Sequence, residues 1–396
     1  MRFLDIIPLP DEQSFVVRDP LGFNEKTMVV PFELLLLMQL MDGERTVREI
    51  EVAITRQTGE IAAAGWLEEV VKMLDENYLL ESNRFRSRCE ELVREYRARP
   101  TRPATLAGKS YPEDPAKLRE MLTGFFGASG IPVASNEKRE PVRAIVAPHI
   151  DLRAGGECYA DAYRPLIEAN GAETFVVLGV AHFGGKGTFI GTRKGFETPL
   201  GTAACDTEFF DALSAKLPFD LCEEEIVHRT EHSIEFQVVF LQHLFGDRVK
   251  IVPILLGSFE RYLLEGNLPE ASQDASAFFS ALQSVLAQYG SRAVVIVSVD
   301  LAHVGKRFGD ETEMTPAFLK MVGGEDRDFL HAAEELNAEA IYRNMAKDNN
   351  ARRVDGFGGI YTLLKVLPLQ KGKLLRYEQS PDETDSCVTF ASMSFW

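Results

Sequence analysis

The sequence predicts a doubly wound α/β domain, a mainly parallel sheet flanked by helices, with a small, mostly helical winged-helix-like unit in front of it. Three observations predict this. Four runs, Arg143–His149, Thr174–His182, Lys250–Ser258 and Ala293–Asp300, are rich in Val, Ile and Leu without polar alternation, the pattern of strands buried on both faces of a parallel sheet. Helical stretches lie between them, which is the alternation of an open α/β fold. Each run also ends in a polar residue: His149, His182, Ser258 and Asp300, with His303 just behind the last. Ligands of open α/β sheets bind in the crevice beyond the carboxyl ends of the strands, so these residues mark a site.

The 396 residues leave room for two domains, and 45% hydrophobic with 26% charged residues is ordinary globular composition. No apolar stretch reaches the roughly 18 residues of a membrane span; the longest candidate, around Phe32–Met41, is short and carries Glu33. Met1–Pro8 lacks the apolar segment and cleavage site of a secretory leader, so a cytoplasmic protein is expected. The five cysteines, Cys89, Cys158, Cys205, Cys222 and Cys387, are odd in number and form no C-x-x-C pair, which fits reduced, buried thiols better than a cysteine zinc site. A net charge of −17 repels polyanions and argues against nucleic acid as a partner.

Residues 1–85 read as a separate unit. Ser14–Arg18 and Met28–Pro31 are strand-like, and a helix from Pro31 to Met41 stops at Asp42-Gly43. Thr46-Val-Arg-Glu49 is a capping box opening a second helix to Thr58-Gly59. A third, about Ala62 to Glu76, leads into an extended Tyr78–Glu81. Helices followed by an extended run suggest a winged-helix shape, usually a DNA binder. Residues 1–84, however, hold sixteen Asp/Glu against eight Lys/Arg, a balance that favours docking a protein or peptide. In helix pattern and in Leu74-Asp-Glu-Asn-Tyr-Leu-Leu80 the unit resembles the small domain that recognises precursor peptides in the PqqD family.

Residues 86–140 form a bridge: a charged helix from Arg86 to Arg97, the proline-broken Arg99–Ala104, a helix from Tyr111–Pro115 to Phe126, and the polar run Ala134–Glu140. Residues 141–396 form the α/β domain. His149 and His182 are 33 residues apart, the length of one βαβ unit with Cys158–Glu168 as its crossover helix. Both imidazoles would then sit on neighbouring strands. Ser386–Trp396 alternates like a closing strand.

His149 is followed by Gly155-Gly156, a pair that would let backbone approach a ligand, and His182 has glycines behind it. A lone strand-end histidine is commonly bonded to a nearby carbonyl; two at one sheet edge suggest metal ligands. Asp355, between a helix at Ala338–Asp348 and the glycine-rich Gly356–Lys365, is either an N-cap or the carboxylate of a 2-His-1-carboxylate set. Asp300 and His303 are either a proton-shuttling pair, with Asp300 orienting His303, or a cap and a backbone-bonded histidine. In Thr230–Leu241, His232 or Glu235 could enter the crevice from a helix start, or belong with Glu231 and His228 to a solvated face.

Together these motifs resemble the Memo family, in its AmmeMemoRadiSam system protein B branch. The likeness rests on Ala147-Pro-His149, Leu178-Gly-Val-Ala-His182, Glu231-His-Ser-Ile-Glu235, Pro253-Ile-Leu-Leu-Gly257, Val299-Asp-Leu-Ala-His303 and Asp385–Ala391. It implies a fold similar to the class III extradiol dioxygenases, which are non-haem iron enzymes, and a metal held by strand-end residues. His149 and His182 match the family's histidine ligands, and Asp300 and His303 its other pocket residues. Where the family usually has a cysteine before a glycine, this chain has Asp355-Gly356. That change moves the preference from copper toward iron first, with zinc and manganese after it. The implied function is a metal-dependent, redox or dioxygenase-like enzyme acting on a small molecule or peptide; the catalytic residues expected are Asp300 and His303, with His232 and Glu235 added from the helix start. The alternative is a non-catalytic peptide- or partner-binding scaffold working with a radical SAM enzyme.

Overall fold

The computed structural model describes residues 4–9, 13–19, 21–24, 27–59, 65–127, 130–132, 141–169, 171–183 and 185–396. The polar run expected at 134–140 lies outside them. The chain divides into two compact units, Met1–Ala98 and Arg99–Trp396, so the expected bridge is shared between them. No helix among the described residues is long and apolar enough to cross a membrane.

The first unit pairs three antiparallel strands in the order β1 (Asp5–Pro8), β2 (Ser14–Arg18) and β3 (Met28–Pro31). Four helices follow: α1 (Phe32–Leu40), α2 (Val47–Thr58), α3 (Trp66–Glu76) and α4 (Asn83–Ala98). The Thr46/Glu49 capping box forms reciprocally, and Gly59 closes α2 in the left-handed conformation. Val17, Val30, Leu37, Ile50, Leu67 and Leu74 make its core. The extended run expected at 78–81 is a turn instead. Tyr78 takes a positive φ of 58°, and Leu79 N–H bonds back to Leu74 O at 2.9 Å. Burying Leu79 in the core drives the chain to wrap over the end of α3.

The second unit opens with β4 (Thr101–Arg102) and α5 (Pro115–Phe125), then β5 (Ala144–Ala147), α6 (Leu152–Ala169) and β6 (Thr174–Val180). Short strands β7 (Phe189–Gly191), β8 (Gly195–Thr198) and β9 (Gly201–Cys205) precede α7 (Thr207–Ser214), α8 (Ser233–Phe245) and β10 (Lys250–Leu256). Next come α9 (Glu260–Leu264), α10 (Gln273–Tyr289), β11 (Ala293–Ser298) and β12 (His303–Gly305). Helices α11 (Pro316–Glu334), α12 (Ala338–Ala346) and α13 (Gly356–Val366) lead to the closing pair β13 (Gly372–Asp382) and β14 (Ser386–Phe395). The sheet runs β12-β14-β5-β11-β6-β10-β9-β8-β4, with β13 on β14 and β7 on β10. Its centre, β5-β11-β6-β10, is parallel.

Alternate residues of these central strands feed two cores. Val146, Leu178 and Val297 join Phe278, Leu282 and Ile360 on one face; Ile145, Val177 and Ile296 join Tyr159, Tyr163 and Phe240 on the other. Continuous apolar strands are what two buried faces require. The order corrects one expectation: β5 and β6 are not neighbours, because β11 lies between them and hydrogen-bonds to both. A second correction concerns Gly155 and Gly156, which lie inside α6. A Cβ on Gly156 would come within 2.2 Å of the Phe125 ring, and one on Gly155 within 2.6 Å of Ile150. They serve close packing of α6.

Candidate metal centre

The central position of β11 sets the geometry. His149 follows the end of β5, His182 that of β6, and Asp300 that of β11 between them. Helix α8 stitches the same three ends together. Ser233 Oγ donates to Val180 O (3.1 Å), Gln237 Nε2 donates to Pro148 O (2.8 Å) and Ser298 Oγ (2.7 Å), and Ser298 Oγ donates to Ser233 O (2.6 Å). Gly179 permits this approach, since a Cβ there would lie 2.6 Å from Ser233 Oγ. His232, at the N-cap of α8, is thereby delivered beside the two strand-end histidines.

Ring centroids of His149, His182 and His232 lie 4.7–5.1 Å apart, and one nitrogen from each falls within 4.8 Å of the others. Asp355 Oδ2 is 3.0 Å from His149 Nε2, 3.7 Å from His182 Nε2 and 4.0 Å from His303 Nε2. Asp355 occupies the N-cap position of α13 but makes no side-chain capping bond. Its Oδ1 accepts the Asp300 N–H at 2.8 Å, and Oδ2 is left for the histidines.

Every imidazole in the group has its Nδ1 engaged. His149 Nδ1 faces Ser298 O (3.0 Å), and His303 Nδ1 faces Leu301 O and Arg353 O (3.0 and 3.1 Å). His182 and His232 each set Nδ1 3.1 Å from Glu231 Oε1. A carbonyl can only accept, so His149 and His303 carry a proton on Nδ1, which leaves Nε2 as the ring nitrogen available to a metal. His149 Nε2 and Asp355 Oδ2, despite their 3.0 Å separation, are both buried without a hydrogen-bond partner. An imidazole nitrogen and a carboxylate oxygen converging in this way fit a shared cation, and Nδ1 partners that fix ring orientation are the usual support of metal-bound histidine.

The charges in the absence of a cation follow. Burial alone would lower the pKa of His182, but Glu231 and Asp355 override it and raise it to about 10. Against the same burial, Asp355 and Asp300 raise His149. Burial opposes ionisation of Glu231 and Asp355, yet the neighbouring histidines hold both below the usual carboxylate range. Burial prevails at His232, which is lowered, and at Asp300, which is raised.

The sequence candidates separate accordingly. His149, His182, Asp355 and His232 come together, and His303 lies at the edge of the group. Asp300 positions His149 through backbone, its Oδ1 accepting His149 N–H (3.0 Å) and Ile150 N–H (3.2 Å), while His303 is held by carbonyls instead. Glu235 does not enter the crevice. Its buried carboxylate is taken by Arg102, Tyr111, Thr105 and the Leu106 N–H, which fasten the segment 102–111 onto α8. Glu231, read as part of a possible solvated face, is buried and bonds two of the histidines. The available signal was its place immediately before His232, ahead of the apolar helix.

A cavity of about 390 Å³ opens beside His182, His303 and Asp355. Fold and cluster define a class: a large, mainly parallel α/β domain whose carboxyl edge carries a histidine group able to hold a metal ion. The family model described as Memo-like protein matches residues 102–394, and the chain belongs to that family. Similar proteins include a MEMO1 family protein of Aquifex aeolicus, 31% identical across 100% of this chain and 99% of its own. One from Thermus thermophilus is 30% identical over 85% of this chain and 94% of its own. Another, from Pyrococcus furiosus, is 35% identical over 74% and 98%.

Proposed function

We propose that this Memo-like protein is a metal-dependent enzyme in which His149, His182 and Asp355 hold a divalent cation beside His232. Its activity is redox or dioxygenase-like chemistry on a small molecule or peptide. The observation that carries the reading is the convergence of buried, unpartnered His149 Nε2 and Asp355 Oδ2 with the free nitrogens of His182 and His232. Imidazole and carboxylate donors suit non-haem iron first, with zinc, manganese and copper as the other candidates. Such an ion supplies Lewis acidity and, for iron or copper, one-electron chemistry. The chain's own residues do the remainder. Glu231 fixes the rings of His182 and His232, and Asp300 fixes the backbone of His149. His303, with Nδ1 tied to two carbonyls, turns Nε2 to the cavity as the group that moves a proton. Elemental analysis of tag-free protein purified without chelator tests this: about one ion per chain, lost in both His149→Ala and His182→Ala. Unchanged content in both variants refutes it.

A second reading, that of a scaffold working with a radical SAM enzyme in the manner of the AmmeMemoRadiSam branch, is favoured by the first unit. The outer strands of its sheet expose Ile6 (44%) and Val29 (63%), as a PqqD-like peptide-docking edge would. Loss of partner capture in full-length Val29→Glu, with metal content intact, supports the scaffold; capture unaffected by that change counts against it.

A further inference from the structure

We propose that the cavity in front of the centre selects a compact ligand with an apolar body and a cationic remote group, and excludes anionic ones. This rests on the metal-dependent reading above, which assigns the ligand's other end to the ion. The volume of about 390 Å³ is near the lower end for small-molecule sites and takes a ring with a short arm. Val180, Leu256, Phe259, Phe308 and Phe357 supply apolar walls.

The charged and polar groups on the lining decide the sign. Arg353 is a lining cation, but its guanidinium is matched to the Asp310 carboxylate at 2.8 and 3.0 Å and also donates to His303 O at 3.2 Å. Asn350 is committed as well: its Oδ1 accepts Val354 N–H at 2.8 Å, and its Nδ2 donates to Val354 O and Glu260 Oε1, each at 3.3 Å. Glu260 is exposed on the lining, and among the described residues its carboxylate has that single hydrogen bond and no ion pair. Among the described residues the lining thus carries an uncompensated carboxylate and no uncompensated cation apart from the centre itself. A carboxylate or phosphate on the ligand would lose water against apolar walls and meet Glu260. An ammonium at that position would gain an ion pair.

Three phenols of matched body test the proposal on the full-length protein by calorimetry, with metal loaded and after chelation: tyramine, 4-ethylphenol and 4-hydroxyphenylacetate. Tyramine is expected to bind about fivefold tighter than 4-ethylphenol, the worth of a partly exposed ion pair, and 4-hydroxyphenylacetate weakest. Glu260→Gln, a surface change, is expected to bring tyramine to the level of 4-ethylphenol without altering the latter. Ser258→Trp, at the exposed rim, is expected to weaken all three. Tightest binding by the carboxylate, a tyramine advantage surviving Glu260→Gln, indifference to Ser258→Trp, or no binding in either metal state overturns it. The two readings fail separately. Protein that takes up no ion but keeps the expected ligand order sinks the metal assignment alone, whereas a reversed order on metal-loaded protein sinks the cavity assignment alone.

Discussion

Asp355 Oδ2 approaches His149 Nε2 to 3.0 Å, yet neither atom makes a hydrogen bond. Without a cation, burial opposes the charge on both groups, yet His149 holds Asp355 below the usual carboxylate range and Asp355 raises His149. Asp355→Asn keeps an oxygen for the Asp300 N–H and removes the charge. We expect metal affinity to fall at least about tenfold, as for loss of an oriented supporting group or more, with little change in circular dichroism. Asp355→Cys is expected to shift competition toward copper and away from manganese, because thiolate is the softer donor. Competitive loading followed by elemental analysis reads both; equal copper-to-manganese ratios in wild type and Asp355→Cys would remove Asp355 from the ligand set.

Glu231 stands behind two histidines at once, with Nδ1 of His182 and of His232 each 3.1 Å from its Oε1. It also accepts the N–H groups of His182, His232 and Ser233. Glu231→Gln retains the acceptor oxygen but loses the charge, so metal affinity is expected to drop about 10- to 100-fold. His182, no longer facing a carboxylate there, should become less basic. Titration of the ring protons by NMR in chelated protein checks this: an unchanged His182 midpoint contradicts the assignment.

What the sequence reveals here follows from what local patterns record. Continuous apolar runs report two buried faces, so β5, β6, β10 and β11 and the polar residues at their ends are legible. Strand neighbours are not, because every central strand looks alike; only the tertiary arrangement puts β11 between His149 and His182. Glu231 and Glu235 lie four apart in a polar helix start; adjacency to His232 is the local hint for Glu231, and nothing local marks Glu235 as the anchor for Arg102. Gly155-Gly156 looks like ligand-approach backbone until Phe125, thirty residues upstream, is packed on it.

The Arg102–Glu235 pair has both side chains fully buried. Burial alone would raise the Glu235 pKa, but Arg102 and Tyr111 hold it below the usual carboxylate range. Arg102→Ala leaves an unmatched buried carboxylate and is expected to cost about 3–5 kcal/mol. Combining Arg102→Met with Glu235→Gln keeps an acceptor for the Thr105 and Leu106 N–H groups and should recover part of that loss, the His228 and Glu231 carbonyls losing their Arg102 donors in both. Urea unfolding of the set gives the coupling, and metal content should stay unchanged throughout. Loss of metal in the double variant beyond that in Arg102→Met alone would return Glu235 to the functional site, since Arg102 also donates to Glu231 O at 2.6 Å.

Packing over α6 gives a second stability test. A Cβ on Gly156 would lie 2.2–2.5 Å from three atoms of the Phe125 ring, so Gly156→Ala must displace that ring or the helix. Overpacking of this kind costs about 1–3 kcal/mol. Phe125→Ala in the same background should relieve part of it. A thermal midpoint for Gly156→Ala equal to that of the wild type would show that Phe125 does not pack as described.

His228 carries a pH dependence whose sign is determined by burial. Its Nε2 faces Ile190 O at 2.9 Å, its Nδ1 is buried without a partner, and burial lowers its pKa to about 4 from an ordinary 6.5. Below pH 6.5 the unfolded chain takes up a proton at this residue that the folded chain refuses until about pH 4. Protons therefore favour unfolding across that window: the contribution is complete above pH 6.5, declines as pH falls, and levels off below 4. The lowering corresponds to about 3 kcal/mol. His228→Gln keeps an N–H for Ile190 O and cannot titrate, so its unfolding free energy should fall less steeply between pH 6.5 and 4 than that of the wild type. Measured by urea titration in chelator, with the other histidines common to both proteins, the two curves should converge toward acid. Parallel curves would mean that His228 is already protonated in the folded protein.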